Sequence, residues 1–147
     1  MKGGNFWPSG HIVDNHNYPS PSFRGPDDER YQNYIKVVGE FGGHGLTVPG
    51  HLFREEKDDN KQKRGNWGYG KLPKHATELK DLYRSSMETL GQLKRGKGIA
   101  AGIYTQTTDV EGEVNGLLTY DRKVAKIDAL DLREWNAALV VGEEIEL

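Results

Sequence analysis

The pattern of apolar and polar positions along the chain predicts three short β-strands. We place these strands at residues 12–17, 35–41 and 99–104. The second is rich in β-branched residues and ends at the breaker Gly42-Gly43. The third is almost entirely apolar or small, which is typical of a parallel strand that is buried on both faces.

Two amphipathic segments predict helices between and after these strands. In residues 73–94 apolar side chains recur at spacings of three and four, so one stripe of the helix faces a core. The members of that stripe are Leu79, Leu82, Tyr83, Met87, Leu90 and Leu93. Asp128 is a predicted N-cap for a second helix that runs to residue 140. The buried side of this helix is expected to contain Leu130, Trp135 and Leu139.

The order of these elements predicts the fold class. Strands alternate with helices, including a short helix predicted at residues 27–34, which is typical of β/α units with a parallel sheet. Three such units fill the 147 residues, so we expect one α/β domain that spans residues 1–147. A closed eight-stranded β/α barrel needs at least about 200 residues. The length therefore allows only part of such a barrel.

Composition and charge exclude several function classes. The formal net charge of −2 is not the basic footprint of a protein that binds nucleic acid. No apolar run reaches the roughly 18–20 residues of a membrane helix, so we expect no membrane partner. The absence of cysteine excludes disulfides and thiolate metal sites. The first ten residues lack the apolar stretch of a signal peptide, and the compartment stays open.

The ends of all three predicted strands are rich in polar side chains, at residues 14–18, 40–44 and 104–109. In parallel α/β folds the functional groups lie at the carboxyl ends of the strands. Glu40 is the sharpest candidate, because it ends an apolar strand and two glycines follow that allow a ligand to approach the backbone. Its carboxylate could be a nucleophile or a general base. The alternative is a rim carboxylate that is solvated or bound to a neighbouring arginine.

Three residues near the first strand have the side chains of a metal site. Imidazole and carboxylate groups such as those of His11, Asp14 and His16 suit zinc or manganese. On a strand, however, residues 14 and 16 share a face while residue 11 points to the other. We therefore expect no metal, and we interpret His16 and Asn17 as hydrogen-bonding groups at a strand end.

Trp67 and Tyr69 lie among glycines in a polar stretch of the chain. Aromatic faces beside polar groups are common in ligand clefts. The two rings are therefore a candidate platform for a sugar ring. The alternative is that they only hold their own loop to the surface.

Three strings of the sequence resemble the last part of the catalytic barrel of glycoside hydrolase family 2, the family of β-galactosidases, β-glucuronidases and β-mannosidases. They are HNYPSPSFRGPDDERY, VVGEFGG and YTQTTDVEGEVNGLLTYDRK. The resemblance covers residues 10 to about 140. It implies that the three predicted strands are strands six, seven and eight of a (β/α)8 barrel. It also implies a carbohydrate substrate and no cofactor.

The resemblance implies roles for individual residues. Glu40 matches the catalytic nucleophile at the end of strand seven, and Tyr18 lies near the place of a tyrosine that hydrogen-bonds this nucleophile. Where the family often has a tryptophan under the sugar, the nearest residues here are Tyr104 and Gln106. Together with the strand-end and loop candidates, the expected substrate-binding residues are His16, Asn17, Trp67, Tyr104, Gln106 and Asp109.

One part of the family's catalytic machinery is missing from the sequence. The retaining mechanism uses two carboxylates about 5–5.5 Å apart. The family's general acid lies on strand four, usually in an Asn-Glu pair, and this sequence has no Asn-Glu dipeptide. We therefore expect a C-terminal segment of the barrel, which needs the remaining barrel or self-associates. The alternative is a non-catalytic carbohydrate-binding or interaction remnant of that barrel.

Overall fold

A computed structural model describes residues 10–24, 29–54 and 65–141 of the chain. The elements are β1 (Ile12–Asn17), a 3-10 turn (Glu29–Tyr31), β2 (Ile35–Gly42), α1 (Ala76–Lys97), β3 (Ile99–Thr105) and α2 (Ala129–Val141). The three strands and the two long helices are confirmed. Of the short helix predicted at 27–34, residues 27 and 28 lie outside the described residues, and the rest forms only the 3-10 turn.

The strands form one parallel sheet in the order β1-β2-β3. Strand β2 is therefore central, and its carboxyl end lies between those of its neighbours. Asn17 on β1 is opposite Phe41, and Thr105 on β3 is opposite Gly42. The mixed α/β class with a parallel sheet is confirmed.

Helix α1 covers one face of the sheet and builds the core there. Leu79, Tyr83, Met87 and Leu90 of the predicted stripe are buried. Leu90 lies directly against Gly102 of β3, where an added Cβ would overlap its methyl groups. From the sheet, the buried core residues are Val13, Val38, Phe41 and Ile99. Trp135 of α2 also belongs to this core, and its ring lies 5.9 Å from the ring of Tyr83 on α1.

The opposite face of the sheet is open among the described residues. Each strand exposes one isoleucine, namely Ile12, Ile35 and Ile103, at 52–57% of the side chain's full area. The prediction that the third strand is buried on both faces is therefore wrong for the described part of the chain. Only Ile99 of that strand is buried, because β3 is an edge strand with a helix on one face only.

Two predictions about helix faces are also corrected. Leu130 is 73% exposed, although Asp128 does cap the helix by accepting a hydrogen bond from the Leu130 amide at 2.7 Å. Leu132, which lies three residues before Trp135, packs against the core instead. Residues three apart share a helix face and residues five apart do not. Leu82, predicted in the stripe of α1, is 38% exposed.

The polar segment after β3 is tightly hydrogen-bonded rather than loose. Its backbone pairs with itself, for instance from Leu117 to Gln106 and from Asp109 to Leu118. The buried members of the segment include Val114, Asn115 and Thr119. The segment therefore has a fixed shape beside the carboxyl end of β3.

Candidate active site at the carboxyl ends of the strands

A β-bulge in β2 sets the direction of Glu40. Val38 and Phe41 are both buried against the helix although they are three residues apart. The pairing of β2 with β3 shifts by one residue between the same two positions, and its pairing with β1 shifts between Val37 and Glu40. One extra residue is thus accommodated on β2, as bulges near active sites commonly do. Because of this extra residue, the Glu40 side chain is 44% exposed although it lies between the core residues Val38 and Phe41.

The carboxylate of Glu40 contacts side chains from β1 and from the turn after it. The phenol of Tyr18 donates a hydrogen bond of 2.7 Å to Glu40 Oε2. Because the single phenol proton goes to the carboxylate, the Thr105 hydroxyl donates to the phenol oxygen, at 2.8 Å. His16 Nδ1 lies 3.3 Å from the same oxygen, Oε2. The hydrogen bond expected between Tyr18 and Glu40 is present.

The surroundings of Tyr18 keep it protonated. Burial raises the pKa of its phenol, the hydrogen bond from Thr105 opposes this, and the hydrogen bond to Glu40 raises the pKa further. A phenol that keeps its proton is a stable donor to a carboxylate throughout the pH range of ordinary assays. Tyr18 therefore holds one oxygen of Glu40 in place.

Tyr69 and Trp67 continue the site as an aromatic platform. The ring of Tyr69 stacks on that of Tyr18, with centroids 3.7 Å apart, and Trp67 meets Tyr69 edge-on at 5.7 Å. The Tyr69 amide donates to the carbonyl of Gly43 at 2.8 Å. Gly43 has a φ of 66°, and an added Cβ there would overlap the Tyr69 ring. Trp67 is 41% exposed, so part of this residue is accessible to a ligand.

Three of the predicted site residues, His16, Tyr18 and Glu40, are in direct contact. Two others lie at the periphery of this cluster. Asn17 donates to the Ser20 carbonyl at 2.6 Å, within the turn that carries Tyr18. Gln106 donates through Nε2 to the side-chain oxygen of Asn115, at 2.8 Å.

Tyr104 lies elsewhere. Its ring packs between Phe41 and Tyr83, at centroid distances of 5.7 and 4.8 Å, and covers Gly42. Alternation along β3 sends Tyr104 to the helix face and the next residue, Thr105, to the site. The expectation that Tyr104 touches a sugar is thus corrected, since the ring belongs to the core.

Asp109 is also placed away from the cluster. It is 3% exposed, and its carboxylate forms a buried ion pair with Lys126 at 2.7 Å and accepts from the Gly116 amide at 2.8 Å. Burial raises the pKa of Asp109 and lowers that of Lys126, and their mutual hydrogen bond opposes both shifts. In this position Asp109 holds the segment after β3 together and has no surface to offer a sugar.

The sequence interpretation missed two contributors to the site. The position of Thr105 in the site could have been predicted from the alternation of side chains along β3, which places residues 103 and 105 on the same face. Asp14 belongs to the polar end of the first strand but is not among the expected site residues, although it shares its strand face with His16. Asp14 Oδ2 lies 2.7 Å from His16 Nε2, and Asp14 Oδ1 accepts a 2.7 Å hydrogen bond from the Gly39 amide.

Comparisons with known proteins add nothing to this picture: no family model matches the chain, and no curated protein matches it. Among the described residues no group of three or more metal-ligating side chains could hold an ion. No helix in residues 10–24, 29–54 or 65–141 is long and apolar enough to span a membrane.

Proposed function

We propose that this chain carries the nucleophile of a retaining glycoside hydrolase, on the last three β/α units of a (β/α)8 barrel. The hydrogen bond from Tyr18 to Glu40 Oε2, at the carboxyl ends of parallel strands, is the observation that carries the proposal. The resemblance to glycoside hydrolase family 2 supports the same assignment at the same residues. The carboxyl ends of the strands are where barrel enzymes keep their functional groups.

The arrangement around Glu40 suits nucleophilic attack by one of its oxygens. Tyr18 donates to Oε2 and His16 Nδ1 lies 3.3 Å from it, whereas the hydrogen bonds among the described residues include none to Oε1. In the proposed step, Oε1 attacks the anomeric carbon and the bond to the leaving oxygen breaks, with the electron pair going to that oxygen. Water then hydrolyses the glycosyl-enzyme ester and regenerates the Glu40 carboxylate.

The proposed mechanism also needs a proton donor for the leaving oxygen. Asp14 does not fit this role, because one of its oxygens accepts from the Gly39 amide and the other contacts His16. Asp109 does not fit it either, since its carboxylate is paired with Lys126 in the interior. The resemblance, in which the general acid lies on strand four, assigns this role to a carboxylate outside these three units.

The test uses a substrate that needs no general acid. A dinitrophenolate leaving group departs without protonation, and 2-deoxy-2-fluoro glycosides trap the glycosyl-enzyme. The chain, incubated with the galacto, manno and glucurono forms of such a reagent, is expected to gain one fluoroglycosyl group on the peptide that contains Glu40. Glu40→Gln is expected to abolish labelling, and Glu134→Gln, on the exposed side of α2, is the matched control. Labelling at another residue would contradict the assignment.

Binding without turnover is the second candidate function. The observation that favours it is the exposed indole of Trp67 beside the stacked rings of Tyr69 and Tyr18. A binding protein of this kind would change its tryptophan fluorescence when sugars are added, and Trp67→Ala would remove the change. Trp135 is a weak reporter of the same event because it is buried in the core. Saturable binding with no covalent labelling would favour this function over the first.

A further inference from the structure

Asp14 uses both carboxylate oxygens to connect two strands of the site. Oδ1 accepts the Gly39 amide at 2.7 Å, and Oδ2 lies 2.7 Å from His16 Nε2. The Gly39 amide is available because it lies at the bulge of β2, where regular pairing is interrupted. An added Cβ at Gly39 would overlap the Asp14 carboxylate, so the contact requires glycine there.

The contact with Asp14 determines how the imidazole of His16 is oriented. An ionised carboxylate can only accept hydrogen bonds, so the proton of the short contact belongs to Nε2. The other nitrogen, Nδ1, is then unprotonated and lies 3.3 Å from Glu40 Oε2 without donating a hydrogen bond to it, in line with the pairing of His16 opposite Glu40 in the sheet. The ring is 40% exposed, so packing alone does not fix its orientation.

We propose that Asp14 is a positioning residue for Glu40. It secures the bulge through Gly39 and sets the tautomer of His16, and through this ring it fixes the environment of Glu40 Oε2. This inference rests on the proposed function of Glu40 as a nucleophile. A carboxylate that orients an imidazole by selecting its tautomer is a known device in hydrolases.

The variant Asp14→Asn is expected to keep the contact with the Gly39 amide and to change the contact with His16. The Gly39 amide can only donate, so the Asn carbonyl oxygen must face it, and that contact is retained. The Asn NH₂ group, a donor, then faces His16 Nε2. If Nε2 kept its proton, two donors would face each other, which is unfavourable. The ring is expected to switch, with Nε2 accepting from the Asn side chain and Nδ1 carrying the proton.

The switch is measured by nitrogen NMR of the chain with ¹⁵N-labelled histidine. The His16 signals are assigned by their loss in His16→Gln. We expect a protonated Nε2 in the parent and an unprotonated Nε2 in Asp14→Asn, with a matching change in the ¹³C signal of the Glu40 carboxyl group. Asp81→Asn, which removes an exposed carboxylate on α1, is the control and should change neither signal. The same tautomer in parent and Asp14→Asn, or an unchanged Glu40 signal, would overturn the proposal.

The covalent labelling of Glu40 gives a second, independent readout. Asp14→Asn is expected to slow labelling about tenfold, with an unchanged unfolding midpoint. The proton moved to Nδ1 adds a hydrogen bond to the Glu40 carboxylate, which makes it a weaker nucleophile by about the scale of one hydrogen bond to a charged group. Labelling at the parental rate, or slowing that merely follows a loss of folded protein, would refute the positioning role. If the parent chain is not labelled at all, the proposed function fails, and the two NMR signals alone decide the role of Asp14.

Discussion

Replacing Tyr18 by Phe removes one hydroxyl group from the proposed site and little else. The ring that stacks on Tyr69 at 3.7 Å is retained, so the aromatic platform is expected to persist. The groups that lose a partner are Glu40 Oε2, at 2.7 Å, and the Thr105 hydroxyl, at 2.8 Å. Of these, only the Glu40 carboxylate takes part in the proposed reaction.

The contacts of Tyr18 set the size of the expected effect. A hydrogen bond to a charged group contributes about 1.5–3 kcal/mol. The Glu40 side chain is 44% exposed, so water can replace the phenol in part. Because Glu40 is then no longer held in position for attack, we expect the reaction with the fluoroglycoside to be roughly 5- to 30-fold slower, which corresponds to about 1–2 kcal/mol.

The assay measures the labelling rate as a function of reagent concentration. A group that acts mainly in the transition state lowers the maximal rate and leaves the half-saturating concentration unchanged. Tyr120→Phe, at an exposed tyrosine that packs on Phe53, is the control. An increase in the half-saturating concentration alone would show that Tyr18 contacts the sugar, and an unchanged rate would refute its role in holding Glu40.

Three further predictions concern stability and association. Burial lowers the pKa of His44 to about 4, so its stabilising contribution is full above about pH 6.5 and declines by about 3 kcal/mol towards pH 4. Urea unfolding should show this decline and His44→Gln should flatten it; an equally steep decline in that variant would contradict the assignment. Lys126→Met strands the buried Asp109 carboxylate and should cost about 3–5 kcal/mol in urea unfolding, so a loss below about 1 kcal/mol would argue against the buried pair. The open sheet face should make the isolated chain self-associate and bind a hydrophobic dye; sedimentation as a compact monomer with a sharp thermal transition would oppose this.

The order of the elements could be predicted from sequence because each has a strong local signal. The stripe of α1 and the β-branched run of β2 need no knowledge of the rest of the chain. Burial was harder to predict, since it depends on what covers each face. Apolar composition made the third strand look enclosed, yet in the described chain it lies at an edge. Likewise Leu130 and Leu132 are equally apolar, and only the position of Trp135 decides between them.

The sequence predicted that the candidate site lies at the ends of the strands, but it did not predict how the side chains are arranged there. Glu40 was predicted because it lies at the end of a predicted strand, and the resemblance to glycoside hydrolase family 2 indicated Tyr18. The two residues meet although 22 positions separate them. The bulge at Gly39 was not predictable, because it is a mismatch between β2 and both neighbours rather than a property of one segment. Strict alternation along β3 would have placed Thr105 in the site and Tyr104 in the core. The prediction used only the polarity of residues 104–109, which made all of them candidates for the site.

The open face of the sheet connects the proposed chemistry to the architecture. Its apolar side chains, Ile12 and Ile35, lie paired at the amino ends of β1 and β2, and its site residues lie at the carboxyl ends. In a β/α barrel the interior is filled by apolar side chains, and the functional groups lie at the carboxyl face. Strands added at the edges of β1 and β3 would cover the isoleucines and could supply the second carboxylate that Asp14 and Asp109 do not provide. Hydrolysis of an ordinary glycoside therefore needs, for protonation of the leaving oxygen, the same added strands that the exposed face needs for burial.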